Sequence, residues 1–251
     1  MLLTRDLDAA TAFYGAVTPW DFDTRTAGSD RYVRASRQGV PLADLVVSRA
    51  VPTVVARWSV FFIVDDAAVA ADMIRDLGAT VGLGPTDLGS GRLALATDPA
   101  GASFGVWEED SAPRWTGAGP SSRGAPYAEL HAPDIFNSAV FYGRLFNWDR
   151  RDQGRYDLTY TDERIVLRID DHIALTLTGD VPAVSVHPAQ APQWRPYFPV
   201  PDVDDTAARA VSSGGSVVES PHQSAYGRTA TLADPQGGVF TVVAPRTGAP
   251  A

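Results

Sequence analysis

Val140-Phe141-Tyr142-Gly143 repeats Ala12-Phe13-Tyr14-Gly15, 128 residues further along the chain. Asp234-Pro235-Gln236-Gly237 repeats Asp98-Pro99-Ala100-Gly101 in the same way, at a distance of 136 residues. Two motifs that recur in the same order at nearly the same distance indicate that one domain was duplicated. The difference between the two distances predicts an insertion of eight residues in the second copy.

Each copy contains two helix patterns, and each pattern follows an aspartate, a preferred residue at a helix N-cap. In the second copy, Asp134 precedes apolar residues at helical spacing up to Tyr142, and Asp202 precedes a similar pattern up to Val211. One strand-like run comes before each helix and three come after it. The predicted strands are Tyr127–His131, Arg155–Tyr160, Arg164–Ile169, His172–Leu177, Arg195–Val200, Ser216–Ser220, Arg228–Ala233 and Val239–Val243. The unit is therefore βαβββ, and the chain holds four such modules in an α+β fold.

The boundary between the two copies is a stretch rich in Pro, Gly and Ser, a composition typical of a linker. The predicted division is a first domain at 1–110, a linker at 111–125, a second domain at 126–246 and a tail at 247–251. Met1 corresponds to Glu129 in the second copy, so the first strand of the first domain is predicted to be truncated. Either this strand is short, or the natural start lies upstream.

Composition limits the partners of this protein. Its 251 residues carry a net charge of −9, and such a surface repels nucleic acid. The chain has no cysteine, which excludes disulfides and thiolate chemistry. No run approaches the ~18 apolar residues of a membrane span. We therefore expect a cytoplasmic protein without nucleic-acid or membrane partners.

Three blocks of the second domain, each repeated in the first, resemble the vicinal oxygen chelate superfamily, which includes glyoxalases, bleomycin-resistance proteins and extradiol dioxygenases. The blocks are Asp134…Ala139-Val140-Phe141-Tyr142…Trp148, Asp202…Gly214-Gly215 and Gly227-Arg228…Asp234-Pro235-Gln236-Gly237…Phe240. Within the superfamily, the chain looks most like its two-domain actinobacterial, glyoxalase-like branch. The resemblance implies that paired modules form two glyoxalase-like, cup-shaped half-barrels. It also implies that active members hold a divalent metal in the cup through His, Glu or Gln side chains.

The metal positions of the superfamily do not carry metal ligands in this sequence. The resemblance places one ligand seven residues before each capping aspartate and another four residues after the glycine of the Asp-Pro-x-Gly turn. These and the matching last-strand positions fall on Tyr127, about Ala174, Arg195 and Thr241 in the second domain, and on Ser59, Gly105 and Ala43 or Asp44 in the first. None of these sets suits zinc, nickel, iron or manganese. We therefore expect no metal and no cofactor.

Polar residues remain on the predicted cup face of the second domain. Strand alternation places Tyr127, Glu129 and His131 on one face of their strand. The predicted ligand-binding residues are Tyr127, Glu129, His131, Arg195, Tyr197 and Thr241. Glu129 and His131 are candidates for catalytic acid and base. In the alternative interpretation, Glu129 only pairs with Arg195, and His131 only satisfies backbone groups.

Other recurring residues have structural interpretations. Trp58 and Trp194 occupy matching positions one residue away from the ligand face, and we expect them to be packing anchors. Arg92 and Arg228 each follow a glycine at matching positions, and we expect them to hold their hairpins rather than to contact a ligand.

Three functions are compatible with the sequence. The first is a metal-independent binding protein for an aromatic or amphipathic metabolite or antibiotic, of the bleomycin-resistance type. The second is a metal-free enzyme of isomerase, cyclase or hydrolase type that uses Glu129, His131 and Tyr127. The third is a metalloenzyme whose site has moved to Glu129 and His131. The sequence favours the first and leaves open whether any reaction is catalysed; it is compatible with a monomer or a homodimer.

Overall fold

A computed structural model describes ten segments of the chain. They are 1–27, 30–47, 56–87, 91–109, 127–148, 156–161, 164–169, 172–182, 191–224 and 226–245. The predicted linker at 111–125 and tail at 247–251 lie outside these residues, and the domain bounds stay a prediction. No helix within the described segments is long and apolar enough to span a membrane.

The described elements form four βαβββ modules, as the sequence predicts. The first consists of β1 (Leu2–Thr4), α1 (Leu7–Val17), β2 (Asp21–Ala27), β3 (Asp30–Arg37) and β4 (Val40–Val47). The second consists of β5 (Arg57–Trp58) and β6 (Phe61–Ile63), which share the place of one strand, α2 (Ala67–Asp76), β7 (Thr80–Asp87), β8 (Gly91–Thr97) and β9 (Ser103–Glu109).

The second half of the chain repeats this order. The third module consists of β10 (Tyr127–His131), α3 (Ile135–Leu145), β11 (Tyr156–Thr161), β12 (Arg164–Ile169) and β13 (His172–Thr178). The fourth consists of β14 (Gln193–Pro199), α4 (Val203–Ser212), β15 (Ser216–Ser224), β16 (Gly227–Ala233) and β17 (Val239–Pro245).

All four helices begin behind a capping aspartate, which explains why their starts are predictable. The carboxylate of Asp134 accepts a hydrogen bond from the amide of Asn137 at 2.9 Å, and the carboxylate of Asp202 accepts one from the amide of Asp205 at 3.0 Å. Asp6 and Asp66 cap the other two helices in the same way. Each cap satisfies an amide that has no partner within the helix.

The chain folds into two compact units that combine modules from different copies. Unit 1 contains Met1–Ser59 and Pro196–Ala251, so it joins the first module to the fourth. Unit 2 contains Val60–Ser122 and Tyr127–Arg195, so it joins the second module to the third. In unit 1 the strand orders are β2-β3-β4-β1-β5 and β14-β17-β16-β15, and β14 contributes its last four residues to this unit. In unit 2 the strand orders are β6-β9-β8-β7 and β11-β12-β13-β10.

Each unit has its own hydrophobic core, built from helix faces and from one face of each sheet. In unit 1, Phe13 on α1 and Ala207 on α4 belong to one buried cluster with Phe240 of β17. In unit 2, Ile74 on α2 and Phe141 on α3 belong to a second cluster. The cores therefore use the strand residues that face the helices, and the alternate residues are left for the opposite face of each sheet.

A buried hydrogen-bond chain of the same composition lies in each core. In unit 1, the hydroxyl of Tyr14 accepts a hydrogen bond from Nε1 of Trp58 at 2.8 Å and donates one to Asp234 at 2.9 Å. Asp234 also accepts from the amide of Gly238 at 2.9 Å within its own turn. This hydrogen-bond chain thus connects a helix of the first module to a turn of the fourth. Desolvation raises the pKa of Tyr14 well above its ordinary value.

Unit 2 contains the equivalent chain. Tyr142 accepts a hydrogen bond from Nε1 of Trp194 at 2.8 Å and donates one to Asp98 at 2.9 Å. Desolvation raises the pKa of the Asp98 carboxyl and, with the nearby charge of Asp98, raises that of Tyr142 well above its ordinary value. The residues of both chains come from the repeated motifs, and the two tryptophans are packing anchors, as predicted.

The two hairpin arginines have carboxylate partners. Arg228 contacts Asp204 on α4, with one nitrogen–oxygen distance of 2.7 Å. Arg92 lies 3.5 Å from Glu108, and the Glu108 carboxylate also accepts a hydrogen bond from the amide of Ala67 at the start of α2. Both contacts hold a hairpin to a helix start, in agreement with the structural interpretation.

We expect the Tyr142→Phe substitution to destabilise unit 2 by about 1–3 kcal/mol, because it leaves the buried indole N–H of Trp194 and a buried carboxylate oxygen of Asp98 without their hydrogen-bond partner. Tyr14→Phe is expected to act in the same way on unit 1. Chemical denaturation measures the effect, and Tyr160→Phe is the matched control because Tyr160 is exposed. Equal stability of Tyr142→Phe and Tyr160→Phe would contradict a stabilising role of the buried hydrogen-bond chain.

Candidate functional site

The face of the β10–β13 sheet that points away from the core of unit 2 carries buried polar side chains. On β10, Leu130 belongs to the core, so Glu129 and His131 point to the opposite face. The parallel neighbour β13 places Thr176 beside Glu129 and Thr178 beside His131. Glu129 and His131 are only 2% and 4% exposed. Tyr127 shares their face and is also buried.

The pairing between the first and last strands of a module shows which residue of the last strand occupies the superfamily's metal-ligand position. In the fourth module, Tyr197, five residues before the capping Asp202, pairs with Thr241. In the third module, the corresponding Glu129 pairs with Thr176. The predicted position at about Ala174 is therefore wrong by two residues. Ala174 is the extra residue of a β-bulge, because Leu167 pairs with Leu175 and Arg168 pairs with Ile173.

The same comparison identifies the last-strand metal-ligand position in the first and second modules. Leu2 pairs with Leu45, so the preceding residue, Met1, is level with Asp44 rather than with Ala43. In the second module, Phe61 pairs with Gly105. The residues at the superfamily's metal positions are thus Tyr127, Thr176, Arg195 and Thr241 in the second copy, and Ser59, Gly105 and Asp44 in the first.

This set of donors does not fit a divalent metal of the superfamily. Arginine is a cation, and threonine hydroxyls are weak ligands. The carboxylate of Asp44 is held by Arg34 at 2.8 and 2.9 Å. At Gly105, an added Cβ would lie 2.3 Å from the ring of Phe61, so a ligating side chain has no room. Within the described segments, no group of three or more His, Asp or Glu side chains could hold a metal ion.

His131 lies between two carboxylates. Its Nδ1 is 2.8 Å from both oxygens of Asp180, and its Nε2 is 3.7 Å from Oε2 of Glu129. The hydroxyl of Thr178 donates a hydrogen bond to Oε1 of Glu129 at 2.5 Å. The two carboxylates face opposite edges of the imidazole ring, so the three side chains do not converge on one metal ion. They are arranged instead for proton exchange or hydrogen bonding at Nε2.

Asp180 is ionised in this arrangement. Desolvation alone would raise its pKa, but the hydrogen bond and charge of His131, together with the charge of Arg195, hold the pKa below its ordinary value. An ionised carboxylate only accepts hydrogen bonds, so it requires a proton on Nδ1 of His131.

Asp180 was not among the residues predicted from the sequence. It lies two residues beyond Thr178, which pairs with His131. Because β10 and β13 are parallel, the residues that follow both strands meet at one edge of the sheet. The Thr178-Gly179-Asp180 sequence was the available signal for this carboxylate. Its proximity to His131 follows only from the way β13 pairs with β10. The partner predicted for His131 in the alternative interpretation was a backbone group, whereas the structure provides the Asp180 carboxylate.

The six predicted ligand-binding residues divide between the two units. Tyr127, Glu129, His131 and Arg195 belong to unit 2, whereas Tyr197 and Thr241 belong to unit 1. Thr241 lies 3.3 Å from the hydroxyl of Thr231, and the ring of Tyr197 meets the ring of Tyr226 at a centroid distance of 5.8 Å. The contacts among Glu129, His131 and Asp180 are thus complete within unit 2.

Solved structures define the class of fold. The Mn(II)-bound glyoxalase from Novosphingobium aromaticivorans has a TM-score of 0.54 and 17% identity, covering 96% of this chain and 79% of that one. The 2,2',3-trihydroxybiphenyl 1,2-dioxygenase from Sphingomonas wittichii has a TM-score of 0.54 and 14% identity, covering 96% and 87%. The prediction of an α+β fold with four βαβββ modules in two glyoxalase-like, cup-shaped half-barrels is confirmed.

The family follows from the sequence comparisons. The family described as "Glyoxalase-like domain" matches residues 1–107 and 128–243, and the chain belongs to it. The anthracycline biosynthesis protein DnrV of Streptomyces peucetius is 36% identical over 199 residues, which cover 78% of this chain and 68% of that protein. The putative glyoxylase CFP32 of Mycobacterium bovis is 29% identical over 258 residues, covering 97% and 92%. The resemblance to the vicinal oxygen chelate superfamily and its actinobacterial members is confirmed.

We expect the purified protein to retain no stoichiometric zinc, nickel, iron or manganese after dialysis, because the metal positions carry threonine, tyrosine and arginine. Elemental analysis of the dialysed protein measures this. About one equivalent of any of these metals per chain would contradict the expectation, and loss of that metal in a His131→Gln variant would assign it to a relocated site.

Proposed function

We propose that this protein binds an aromatic or amphipathic small molecule without a metal, against the polar face of the β10–β13 sheet. The contacts of the buried His131 side chain with Asp180 and Glu129 carry the proposal. Burying the Glu129 carboxylate and the His131 imidazole costs free energy unless they are paired, and a purely structural sheet face is satisfied by apolar residues. Such an arrangement is typical of a site that recognises a polar group.

The names of the relatives support an aromatic ligand. DnrV and the related DauV protein of Streptomyces sp. strain C5 are both named anthracycline biosynthesis proteins, and DauV is 35% identical to this chain over 199 residues. Anthracyclines are polycyclic aromatic compounds. We therefore propose a polycyclic aromatic metabolite or antibiotic as the ligand class. The proposal includes a cytoplasmic monomer or homodimer with no nucleic-acid or membrane partner.

A metal-free enzyme is the second candidate, and one observation favours it. The contact of Asp180 with Nδ1 orients the His131 ring and sets its protonated nitrogen, which is the arrangement that activates a histidine as a general base. Glu129 lies on the other side of the ring. A bound molecule with an acidic proton at Nε2 is then placed for proton abstraction, as an isomerase or cyclase requires.

We expect saturable binding of 2-hydroxyanthraquinone, a polycyclic aromatic probe, with the same affinity in the presence and absence of EDTA. Calorimetric titration of the full chain measures it. Binding that appears only after a divalent metal is added would contradict metal independence, and absence of binding would contradict the proposed ligand class.

The Glu129→Gln substitution distinguishes the binder from the enzyme, because it keeps the shape of the side chain and removes its charge. For a binder, we expect a loss of affinity on the order of 1–3 kcal/mol. For an enzyme that uses Glu129, binding persists while turnover of the bound molecule falls roughly 100-fold.

The matched control for this substitution is Glu219→Gln. Glu219 also accepts a hydrogen bond from a threonine, Thr231, at 3.1 Å, but it lies in unit 1. Arg195→Ala, measured in parallel, tests the charge next to Asp180. If neither Glu129→Gln nor Arg195→Ala changes binding or turnover, the site lies elsewhere.

A further inference from the structure

Nε2 of His131 is a buried polar atom that the fold leaves without a partner. No hydrogen-bond partner lies within reach of it among the described parts of the chain. The whole residue is 4% exposed. An unsatisfied buried nitrogen costs free energy, so its presence in a native structure calls for an explanation.

The chemistry of this nitrogen follows from the opposite side of the ring. Both oxygens of Asp180 lie 2.8 Å from Nδ1, so Nδ1 carries a proton, and in the neutral imidazole it carries the only one. Nε2 then presents a lone pair and acts as a hydrogen-bond acceptor. It therefore needs a donor.

Glu129 does not supply that donor. Its Oε2 is 3.7 Å from Nε2, which exceeds hydrogen-bond length. Its other oxygen accepts a hydrogen bond from the Thr178 hydroxyl. Two acceptors thus face one another across a short gap. A donor atom about 2.8 Å from Nε2 also lies close to the carboxylate, whose negative charge favours a polarised O–H or N–H group.

We propose that Nε2 of His131 accepts a hydrogen bond from a hydroxyl group of the ligand, that the adjacent Glu129 carboxylate favours this donor, and that Asp180 is the positioning residue that fixes the imidazole tautomer. The inference deepens the proposed function and rests on it. The ligand class becomes an aromatic molecule with a free phenolic or enolic hydroxyl. A methyl ether of the same molecule has no proton to donate, and it leaves Nε2 unsatisfied.

Two probes test the choice of ligand: 2-hydroxyanthraquinone and 2-methoxyanthraquinone, titrated into the full chain with EDTA present. We expect the hydroxyl compound to bind about tenfold more tightly, the usual effect of one hydrogen bond to a buried acceptor. In Asp180→Ala this preference is expected to fall to about twofold or less, and Asp180→Asn to restore part of it, because an amide oxygen still accepts from Nδ1–H. Asp157→Asn is the control, since it removes an exposed carboxylate of the same unit.

The tautomer itself is measured by ¹⁵N NMR of the histidine side chains, which is practical because the chain has only four histidines. We expect His131 of the unmodified protein to be protonated at Nδ1, and Asp180→Ala to shift it toward the Nε2–H form, with no such shift in Asp157→Asn. A merely structural role of Asp180 would change stability without changing the tautomer.

The outcomes separate the two proposals. Equal affinity for both anthraquinones, or an Nε2–H tautomer in the unmodified protein, overturns this inference and leaves the binding function standing. Failure of both anthraquinones to bind overturns the proposed function and this inference with it.

Discussion

The hydrogen-bond chain of tryptophan, tyrosine and aspartate is the interaction on which the rest of each unit depends. In both units the tyrosine hydroxyl connects an indole N–H to a carboxylate that also closes its own turn. The three side chains come from three different modules. Because each partner is buried, loss of the tyrosine leaves the indole N–H and one carboxylate oxygen without their hydrogen bonds. The chain therefore specifies which modules share a core.

This core determines where a functional site can form. Once α2 and α3 occupy one face of the unit 2 sheets, the alternate strand residues are free of core packing. On β10 those residues are Tyr127, Glu129 and His131, and on β13 they include Thr176 and Thr178. The positions that hold a metal in enzymes of the superfamily carry hydroxyl groups and a cation here, and His131, held by Asp180, lies on the same face of β10 as Tyr127.

The helix starts and several strands were predictable because their signals are local. Each capping aspartate marks a helix start, and strand β10 has the predicted bounds Tyr127–His131. The site was less predictable because it depends on register. A bulge at Ala174 moves the last-strand position of the third module to Thr176, and bulges cannot be counted from the sequence. Asp180 reaches His131 only through the parallel pairing of β10 with β13, and its role was therefore missed.

In the proposed binding mode, a metal-free site built on His131 holds an aromatic ligand through a hydroxyl group. A crystal structure of the full chain with 2-hydroxyanthraquinone, grown with EDTA, tests it most directly. We expect the phenolic oxygen at hydrogen-bond distance, about 2.8 Å, from Nε2 of His131, with Asp180 on Nδ1. A ligand bound away from the face of Tyr127, Glu129 and His131, or one held through a metal ion, would contradict it.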